Sequence, residues 1–219
     1  MVARRPAIAD SVVATGRGDD GTTGLLFGGP RIAKDDPRTE AYGTVDEAVA
    51  ALGLARAELG VMSASGTLPE PLAELPALIL RYQRELFVVG AELAANPEAW
   101  DRLADGATRV SQRMVEALEV DLAVAERAIE MPREFTVPGE SRLSAAIELG
   151  RTILRRAERR AITLRRAGLV PGEWLVPYLN RLADLLWVLA RAAEQGEQRA
   201  TTTARAEPRA PRNTTRRAP

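Results

Sequence analysis

The stretch from Thr15 to Gly29, TGRGDDGTTGLLFGG, combines six glycines with three threonines and two adjacent aspartates. Glycine lets the backbone approach a ligand closely, and successive backbone N–H groups in such a loop can bind an anion. The threonine hydroxyls add donors, an aspartate can hold a metal ion or a ribose hydroxyl, and Lys34 follows shortly after. These residue types predict a phosphate-binding loop. The alternative is a polar N-terminal segment that does not fold on its own.

The loop matches neither of two common nucleotide-binding motifs. A Walker A loop ends in Gly-Lys followed by Ser or Thr, and that ending is absent here. A Rossmann fingerprint needs a strand, a turn and a helix around its glycines, and no such frame surrounds this loop. The type of phosphate site is therefore left open by the motif alone.

A second candidate group lies on a predicted helix that contains seven arginines and one glutamate between residues 151 and 166. Arg151, Arg155 and Glu158 are spaced so that they form one stripe beside the apolar face that includes Ile147 and Leu154. Arginine is suited to bidentate contacts with phosphate or carboxylate. The alternative is an exposed basic face with Glu158 as a local partner. The zero net charge and the few aromatic residues argue against nucleic-acid binding.

A third group lies on the last predicted helix, where Asn180, Asp184, Trp187 and Arg191 form a stripe beside a leucine-rich face. An asparagine and an aspartate one turn apart can bind a sugar, a base or metal-bound water, and the indole offers a flat apolar surface. Alternatively, Trp187 belongs to the core and the polar pair caps a neighbouring loop.

Two further residues have both a structural and a functional interpretation. Asp46 lies early in the first predicted helix, where the helix dipole favours a carboxylate, or it pairs with an arginine of the fourth helix. Phe135 lies in a loop, where an aromatic side chain either fills the core or forms a platform for a ligand.

The composition restricts the chemistry further. The 219 residues include no Cys and no His, which excludes disulfides, thiolate zinc sites, cysteine nucleophiles and histidine-based triads. Any metal is expected to be a hard ion such as Mg²⁺ on oxygen ligands. No apolar run is long enough to span a membrane, and the first residues lack the apolar core of a signal peptide. The expectation is a soluble, cytoplasmic protein.

Apolar residues at three- and four-residue steps predict five helices, so the expected fold class is an all-α bundle of five antiparallel helices with short links. Their predicted ranges are about 37–59, 71–94, 108–129, 141–168 and 171–193, with Thr108 as the N-cap of the third and Gly168 ending the fourth. Residues 1–14 are expected to be a flexible N-terminus and 15–196 the helical domain. Residues 197–219 have six arginines, three prolines and little to bury, which predicts a disordered Arg-rich tail.

Taken together, several stretches of the chain resemble PduO-type ATP:cob(I)alamin adenosyltransferases. The matching stretches are GDDGTTGLLFGG, RIAKDDPRTEAYGTVDEAVAALGLAR, QRELFVVGAELA, FTVPG, RTILRRAERR and YLNRLADLLWVLAR. They occur in the family's order over about residues 15 to 193. The resemblance implies a homotrimer of five-helix bundles whose active sites lie between subunits, with an N-terminal loop that is ordered around ATP.

The resemblance also implies residue roles at the ATP site. One subunit would hold the triphosphate and Mg²⁺ through Thr15, Gly18, Asp19, Gly21, Thr22, Thr23 and Lys34. A second subunit would complete the site through Arg155, Glu158 and Asn180. The family's intersubunit salt bridge matches Asp46 and Arg151.

At the corrinoid site, Phe135 matches the aromatic residue that displaces the lower ligand of the corrin. Trp187 stands where the family usually has a phenylalanine near the corrin, and Asp184 is expected to contact the corrin as well. The implied catalytic residues are therefore Phe135 together with Asp46, Arg151 and Arg155.

The implied reaction transfers the 5′-deoxyadenosyl group of ATP to cob(I)alamin, giving adenosylcobalamin and triphosphate. Expected partners are a flavin- or flavodoxin-type cobalamin reductase and an adenosylcobalamin-dependent mutase, with no nucleic acid and no membrane. The family's loop usually reads Tyr-Thr-Arg-Thr-Gly-Asp, whereas Ala14, Gly16 and Arg17 depart from it here, so ATP affinity is expected to differ. Two alternatives are a carrier that binds adenosylcobalamin or nucleotide without efficient turnover, and a helical interaction protein.

Overall fold

A computed structural model of the chain describes residue 11 and residues 13–205. Most of the predicted flexible N-terminus, and residues 206–219 of the predicted tail, lie outside the described residues. A helix with the length and hydropathy of a membrane span is not found among the residues that are described.

The described chain is mostly helical, as predicted. Its α-helices are α1 (Pro37–Ala64), α2 (Leu75–Leu93), α3 (Gln112–Arg127), α4 (Arg142–Arg166) and α5 (Leu175–Gly196). Two short 3₁₀ helices, Glu70–Leu72 and Pro97–Arg102, lie in the links on either side of α2. Between Thr15 and α1 the chain forms a small antiparallel hairpin from β1 (Thr22–Thr23) and β2 (Ile32–Ala33).

The start of the third helix differs from the prediction. Ser111, and not Thr108, is the N-cap of α3, and its hydroxyl accepts a hydrogen bond from the Met114 N–H. The Thr108 hydroxyl instead accepts the Ala104 N–H within the preceding turn. Both residue types suit a cap, so local sequence did not distinguish them. The fourth helix begins as predicted, with Ser141 and Ser144 forming a capping box.

The core lies where α4 packs against α1 on one side and α5 on the other, while α2 packs against α1 and α3 against α5. The predicted apolar face of α4 is buried along its whole length. Gly150 allows α4 to approach α1 closely, because a Cβ at this position would lie 2.8 Å from a methyl group of Leu52. The α1–α4 contact therefore depends on a small residue at this point.

The C-terminal segment corrects the prediction of a tail that is disordered from residue 197. Thr203 pairs with Thr136 in an antiparallel bridge, flanked by hydrogen bonds from the Val137 N–H to the Thr202 carbonyl and from the Ala204 N–H to the Phe135 carbonyl. The pairing is polar and buries little apolar surface, so apolar content alone did not indicate it.

Glu92 of α2 is a buried carboxylate that fixes two links of the fold. It is 1% exposed and accepts hydrogen bonds from the backbone N–H groups of Val110 and Gly172, at 2.7 and 3.0 Å. These two residues belong to the links before α3 and before α5. Burial raises the pKa of Glu92 above its ordinary value of 4.5, although both hydrogen bonds act in the opposite direction.

We expect Glu92→Gln to destabilise the fold by about 1–3 kcal/mol at pH 4.5, because the amide places an NH2 donor against one of the two backbone N–H groups, whereas a neutral carboxyl keeps an oxygen at each. Since the pKa is higher in the folded state, the carboxyl stabilises the fold fully below the unfolded pKa, and this contribution is lost as pH rises through the folded pKa. The deficit of Glu92→Gln relative to wild type should therefore shrink as pH rises. Urea unfolding from pH 4.5 to 8 measures it, with exposed Glu126→Gln as control. A deficit that grows with pH would contradict the prediction.

Candidate functional site

One cleft of the described chain gathers predicted residues of α4, α5 and the loop between α3 and α4. It has a volume of about 800 Å³ and is lined by Phe135, Arg151, Arg155, Asp184 and Trp187. Ala204 and Arg205 of the C-terminal segment form part of its wall. Residues that are far apart in sequence thus meet in one basic and partly aromatic cavity.

The phenyl ring of Phe135 is 89% exposed, which excludes the alternative that this residue fills the core. Trp187 is half-buried, and the Arg191 guanidinium carbon lies 5.7 Å from the centroid of its ring. Asp184 and Arg155 are exposed at the cleft. The cleft therefore offers aromatic faces and charged groups to a ligand at the same time.

A buried ionic cluster lies beside this cleft, formed by Arg191 and Glu194 of α5 and Glu148 and Arg151 of α4. Arg191 is fully buried and pairs with Glu194 at 2.7 Å and with Glu148 at 3.4 Å. Glu148 also accepts a hydrogen bond from Arg151 Nε at 2.5 Å. Two arginines and two glutamates balance in charge, which is what a low-dielectric environment requires.

Glu158 of α4 and Asn180 of α5, which the family resemblance groups together, are in contact. The Asn180 amide donates to the Glu158 carboxylate at 3.4 Å, and its oxygen accepts from Arg181 at 3.0 Å. Both side chains are partly exposed. An amide oriented by a carboxylate and a guanidinium is a suitable polar contact for a nucleoside.

The predicted phosphate-binding residues are brought together by the N-terminal hairpin. The Lys34 N–H donates to the Gly21 carbonyl at 2.8 Å, and Lys34 Nζ lies so close to Gly18 that a Cβ there would be 2.8 Å away. Asp20 accepts hydrogen bonds from both the N–H and the hydroxyl of Thr22. Thr15, Asp19 and Thr23 lie in the same segment, with Thr15 and Asp19 exposed. The ammonium group is thus held against the glycine-rich turn.

Arg31 organises this hairpin, and sequence reasoning missed it. Its guanidinium donates to the Thr22 hydroxyl at 2.7 Å, the Thr22 carbonyl at 2.8 Å and the Arg17 carbonyl at 2.9 Å. A planar fork with several donors can join two backbone segments in this way, whereas an ammonium group cannot. Arg17 contributes here through its carbonyl.

The hairpin docks against the chain just after α2. Leu26 exchanges backbone hydrogen bonds with Ala94 and Asn96 just after α2, and Arg102 stacks over the Phe27 ring at 4.5 Å. In the described structure, no hydrogen bond or ion pair joins Thr15, Gly18, Thr22, Thr23 or Lys34 to Arg155, Glu158 or Asn180. The two groups expected at one ATP are therefore not joined to each other by a hydrogen bond or an ion pair within the described part of this chain.

Asp46 lines a different, apolar groove of about 410 Å³ between α1, α2 and the hairpin. Its walls include Leu26, Tyr42 and Phe87, and the Phe87 ring is 64% exposed. Asp46 itself is exposed and does not pair with Arg151 within the chain, since Arg151 is bound to Glu148. An apolar groove with a carboxylate at its edge is suited to contact with another protein surface.

Several residues of the site escaped sequence reasoning, namely Arg31, Glu148, Glu194 and Thr201. Their side chains act through partners that are distant in sequence or on the neighbouring helix. Arg191 was identified on the polar stripe of α5, but its complete burial was not expected. The one available signal was that Arg191 and Glu194 lie three residues apart on a helix otherwise rich in leucine and alanine.

These features define a helical ligand-binding protein whose chemistry rests on arginine, lysine and backbone donors. Residues 13–193 match the family model described as cobalamin adenosyltransferase. A corrinoid adenosyltransferase of Citrobacter freundii is 40% identical over 184 residues, which cover 83% of this chain and 94% of that protein. One of Bacillus subtilis is 37% identical over 179 residues, covering 81% of this chain and 83% of that protein.

Solved structures give the same result. A variant of the PduO-type ATP:corrinoid adenosyltransferase from Lactobacillus reuteri, complexed with cobalamin and ATP, is similar with a TM-score of 0.72 at 27% identity. The match covers 87% of this chain and 98% of that chain. The chain belongs to the cobalamin adenosyltransferase family, and it is a transferase.

The buried cluster predicts a large effect on stability. We expect Arg191→Met to destabilise the fold by about 3–5 kcal/mol, because Glu148 and Glu194 would lose a buried counter-charge. Arg113→Met replaces an exposed arginine on α3 and serves as the matched control. Chemical unfolding at neutral pH measures both. A loss for Arg191→Met no larger than that of the control would show that the cluster contributes little.

Proposed function

We propose that the protein transfers the 5′-deoxyadenosyl group of ATP to cob(I)alamin, giving adenosylcobalamin and triphosphate. The observation that carries the proposal is the single cleft that gathers Phe135, Arg151, Arg155, Asp184 and Trp187. Relatives named as corrinoid adenosyltransferases, and a structural relative complexed with cobalamin and ATP, support it. These relatives are enzymes, which does not favour the alternative of a carrier without turnover.

The reaction fits a chain without His and Cys, because the nucleophile belongs to the substrate. The electron pair of cobalt(I) attacks the 5′ carbon of ATP, the cobalt–carbon bond forms, and the bond from that carbon to the triphosphate oxygen breaks. Cobalt becomes formally cobalt(III), and triphosphate leaves with the bonding electrons. The protein must position the two substrates and stabilise the charge that grows on the leaving group.

The hairpin supplies a cation for that charge. Lys34 Nζ lies against Gly18 of the glycine-rich turn, whose N–H groups at Asp19, Gly21 and Thr22 are used within the segment. Arg31 holds this turn by three hydrogen bonds, so its shape is set before ATP arrives. We assign the triphosphate to this hairpin, with Thr15, Asp19, Gly21 and Thr22 around it.

Mg²⁺ fits this site only in part. The described residues contain no group of three or more acidic side chains that could hold a metal ion. Because Asp20 is engaged by Thr22, Asp19 is the carboxylate that can face the metal. We propose that Mg²⁺ is held mainly by ATP phosphate oxygens, where it would neutralise charge on the leaving group.

The arginine cleft is assigned to the corrinoid and to the other side of ATP. Trp187 offers an apolar face, Asp184 a polar contact, and the exposed ring of Phe135 can occupy the space of the lower ligand. Removing that ligand makes cob(II)alamin easier to reduce. Arg155, with Glu158 and Asn180 on the adjoining turns of α4 and α5, would bind ATP.

No described hydrogen bond or ion pair joins the hairpin to Arg155, Glu158 or Asn180 within one chain, which is compatible with an active site between subunits. We propose a homotrimer of five-helix bundles, in which the hairpin of one subunit faces Arg155, Glu158 and Asn180 of the next. The apolar groove beside Asp46 and Phe87 would then contact another copy of the chain. In this assembly Asp46 would meet Arg151 across the interface.

We further propose a cytoplasmic protein that receives cob(I)alamin from a flavin- or flavodoxin-type reductase and supplies an adenosylcobalamin-dependent mutase. ATP and cellular reductants are available in that compartment. The test of the function is an anaerobic assay with ATP, Mg²⁺ and chemically reduced cob(I)alamin, in which loss of the cob(I)alamin absorbance is followed. ATP-dependent formation of adenosylcobalamin is expected. Nucleotide binding without conversion would instead favour the carrier.

We expect Arg155→Ala to lower kcat about a hundredfold, because a cation near the leaving group would be lost. Asn180→Ala should reduce kcat/KM for ATP about tenfold through the loss of one polar contact. Both side chains are at least partly exposed, so the unfolding midpoint should stay at the wild-type value. Arg159→Ala removes an exposed arginine one turn from Arg155 and is the control. Wild-type rates in both variants would refute this site assignment.

We expect Asp46→Asn to weaken trimer assembly, because Arg151 of the neighbouring subunit, which already pairs with its own Glu148, would lose the second carboxylate proposed for it across the interface. Sedimentation velocity over a concentration series measures the trimer fraction. Glu47→Gln is a matched control, since Glu47 pairs with Arg156 within the chain. The exchange Asp46→Arg with Arg151→Asp should restore part of the assembly. Identical mass distributions for Asp46→Asn and wild type would contradict the proposed interface.

A further inference from the structure

We propose that the C-terminal segment 199–205 is a positioning element for Phe135: it fixes the backbone of the loop from which this ring projects over the arginine cleft. The proposal rests on the proposed function, because it concerns the corrinoid side of that site. It assigns a role to a part of the chain that lies beyond the matched residues 13–193.

The loop that carries Phe135 has little structure of its own. Between α3 and α4 the chain has no helix or strand, and it contains Pro132, Pro138 and Gly139. In the described structure, every hydrogen bond made by residues 131–138 goes to Arg191, Thr202 or Ala204. The position of the loop therefore depends on α5 and on the C-terminal segment.

The contacts enclose Phe135 closely. The Phe135 carbonyl accepts the Ala204 N–H at 2.7 Å, and the Val137 N–H donates to the Thr202 carbonyl at 2.8 Å. Between them, the Thr136 hydroxyl accepts a hydrogen bond from Arg191. The ring is exposed while its backbone is held on both sides, which orients it without covering it.

The segment itself is anchored to the end of α5. Gln198 has a φ of 55°, and the Arg199 N–H returns to the Glu194 carbonyl at 2.8 Å, so the chain turns back after the helix. The Thr201 hydroxyl then donates to the buried Glu194 carboxylate at 2.8 Å. Since Glu194 pairs with Arg191, and Arg191 binds Thr136, one buried cluster holds both the segment and the loop.

The segment is expected to affect catalysis through the position of the Phe135 ring and not through the binding of ATP. A loosely held Phe135 would spend less time where the lower ligand of the corrinoid must be displaced, so the chemical step would slow. In the described structure, no hydrogen bond or ion pair joins this segment to the hairpin or to Arg155, Glu158 or Asn180, the groups that we assign to ATP, so KM for ATP should be unchanged. A general loss of folding would move both quantities.

The test uses the full chain with Ala204→Pro, which removes the N–H that binds the Phe135 carbonyl, and Ala204→Ser, which keeps it. Electron paramagnetic resonance of bound cob(II)alamin with ATP gives the fraction that lacks a lower ligand. We expect Ala204→Pro to reduce the ratio of ligand-free to ligand-bound cob(II)alamin about tenfold and to accelerate amide exchange at Val137 about tenfold, as for one lost hydrogen bond. Ala204→Ser should match wild type in both.

A second pair of variants tests the same segment without introducing a proline, so that a folding defect of Ala204→Pro can be recognised. Thr201→Val removes the hydroxyl that binds Glu194 and should shift the cob(II)alamin ratio in the same direction, whereas Thr201→Ser should restore it. Unchanged Val137 exchange in Ala204→Pro, equal cob(II)alamin fractions in Ala204→Pro and Ala204→Ser, or a parallel change in KM for ATP would each overturn the proposal. If wild type does not convert cob(I)alamin with ATP, the proposed function fails as well, and the segment has no corrinoid site to serve.

Discussion

The buried pairing of Arg191 with Glu148 and Glu194 is the interaction on which the arrangement of the cleft depends. A fully buried guanidinium must be neutralised by partners of good geometry, because removing either side leaves a charge in a medium of low dielectric constant. Glu148 belongs to α4, so the pair fixes how α4 and α5 meet beside the cleft. Through Thr136 and Thr201, the same cluster holds the loop and the C-terminal segment. One electrostatic requirement thus couples two helices and two irregular segments.

The remaining site chemistry follows from having a nucleophile in the substrate. A cobalt(I) centre needs no side chain to activate it, and the protein supplies orientation and charge stabilisation. The groups available for both are the many arginines of the chain and its one lysine, Lys34, on an ordered hairpin. Arg31 prepares this hairpin, and the Arg191 cluster prepares the cleft. A guanidinium group therefore organises each region. Arg31 acts through hydrogen bonds to the hairpin, and the buried Arg191 acts through its ion pairs and through Thr136.

Sequence reasoning succeeded where local order carried the information. The spacing of the apolar residues predicted where the helices lie. The start of α4 at Ser141 was predicted correctly because Ser141 and Ser144 form a local capping box. The contact between Glu158 and Asn180 joins two residues that only the family resemblance had grouped together. The third N-cap was misplaced, since Thr108 and Ser111 suit a cap equally. The tail was judged by its low apolar content, although three consecutive threonines, which favour extended structure, precede Ala204.

The sequence by itself determined the helical class, the excluded chemistries and the family resemblance, and it singled out five residues that line the cleft, namely Phe135, Arg151, Arg155, Asp184 and Trp187. These depend on residue types and on spacings of a few positions. Only the tertiary structure decided that Arg191 is buried, that residues 202–204 pair with the Phe135 loop, and that the N-terminal hairpin docks beside α2. The reason is that pairing of charges and of backbone groups is set by which segments meet after folding. The residues next to a polar side chain in the sequence do not indicate whether its partner in the fold is water or a buried carboxylate.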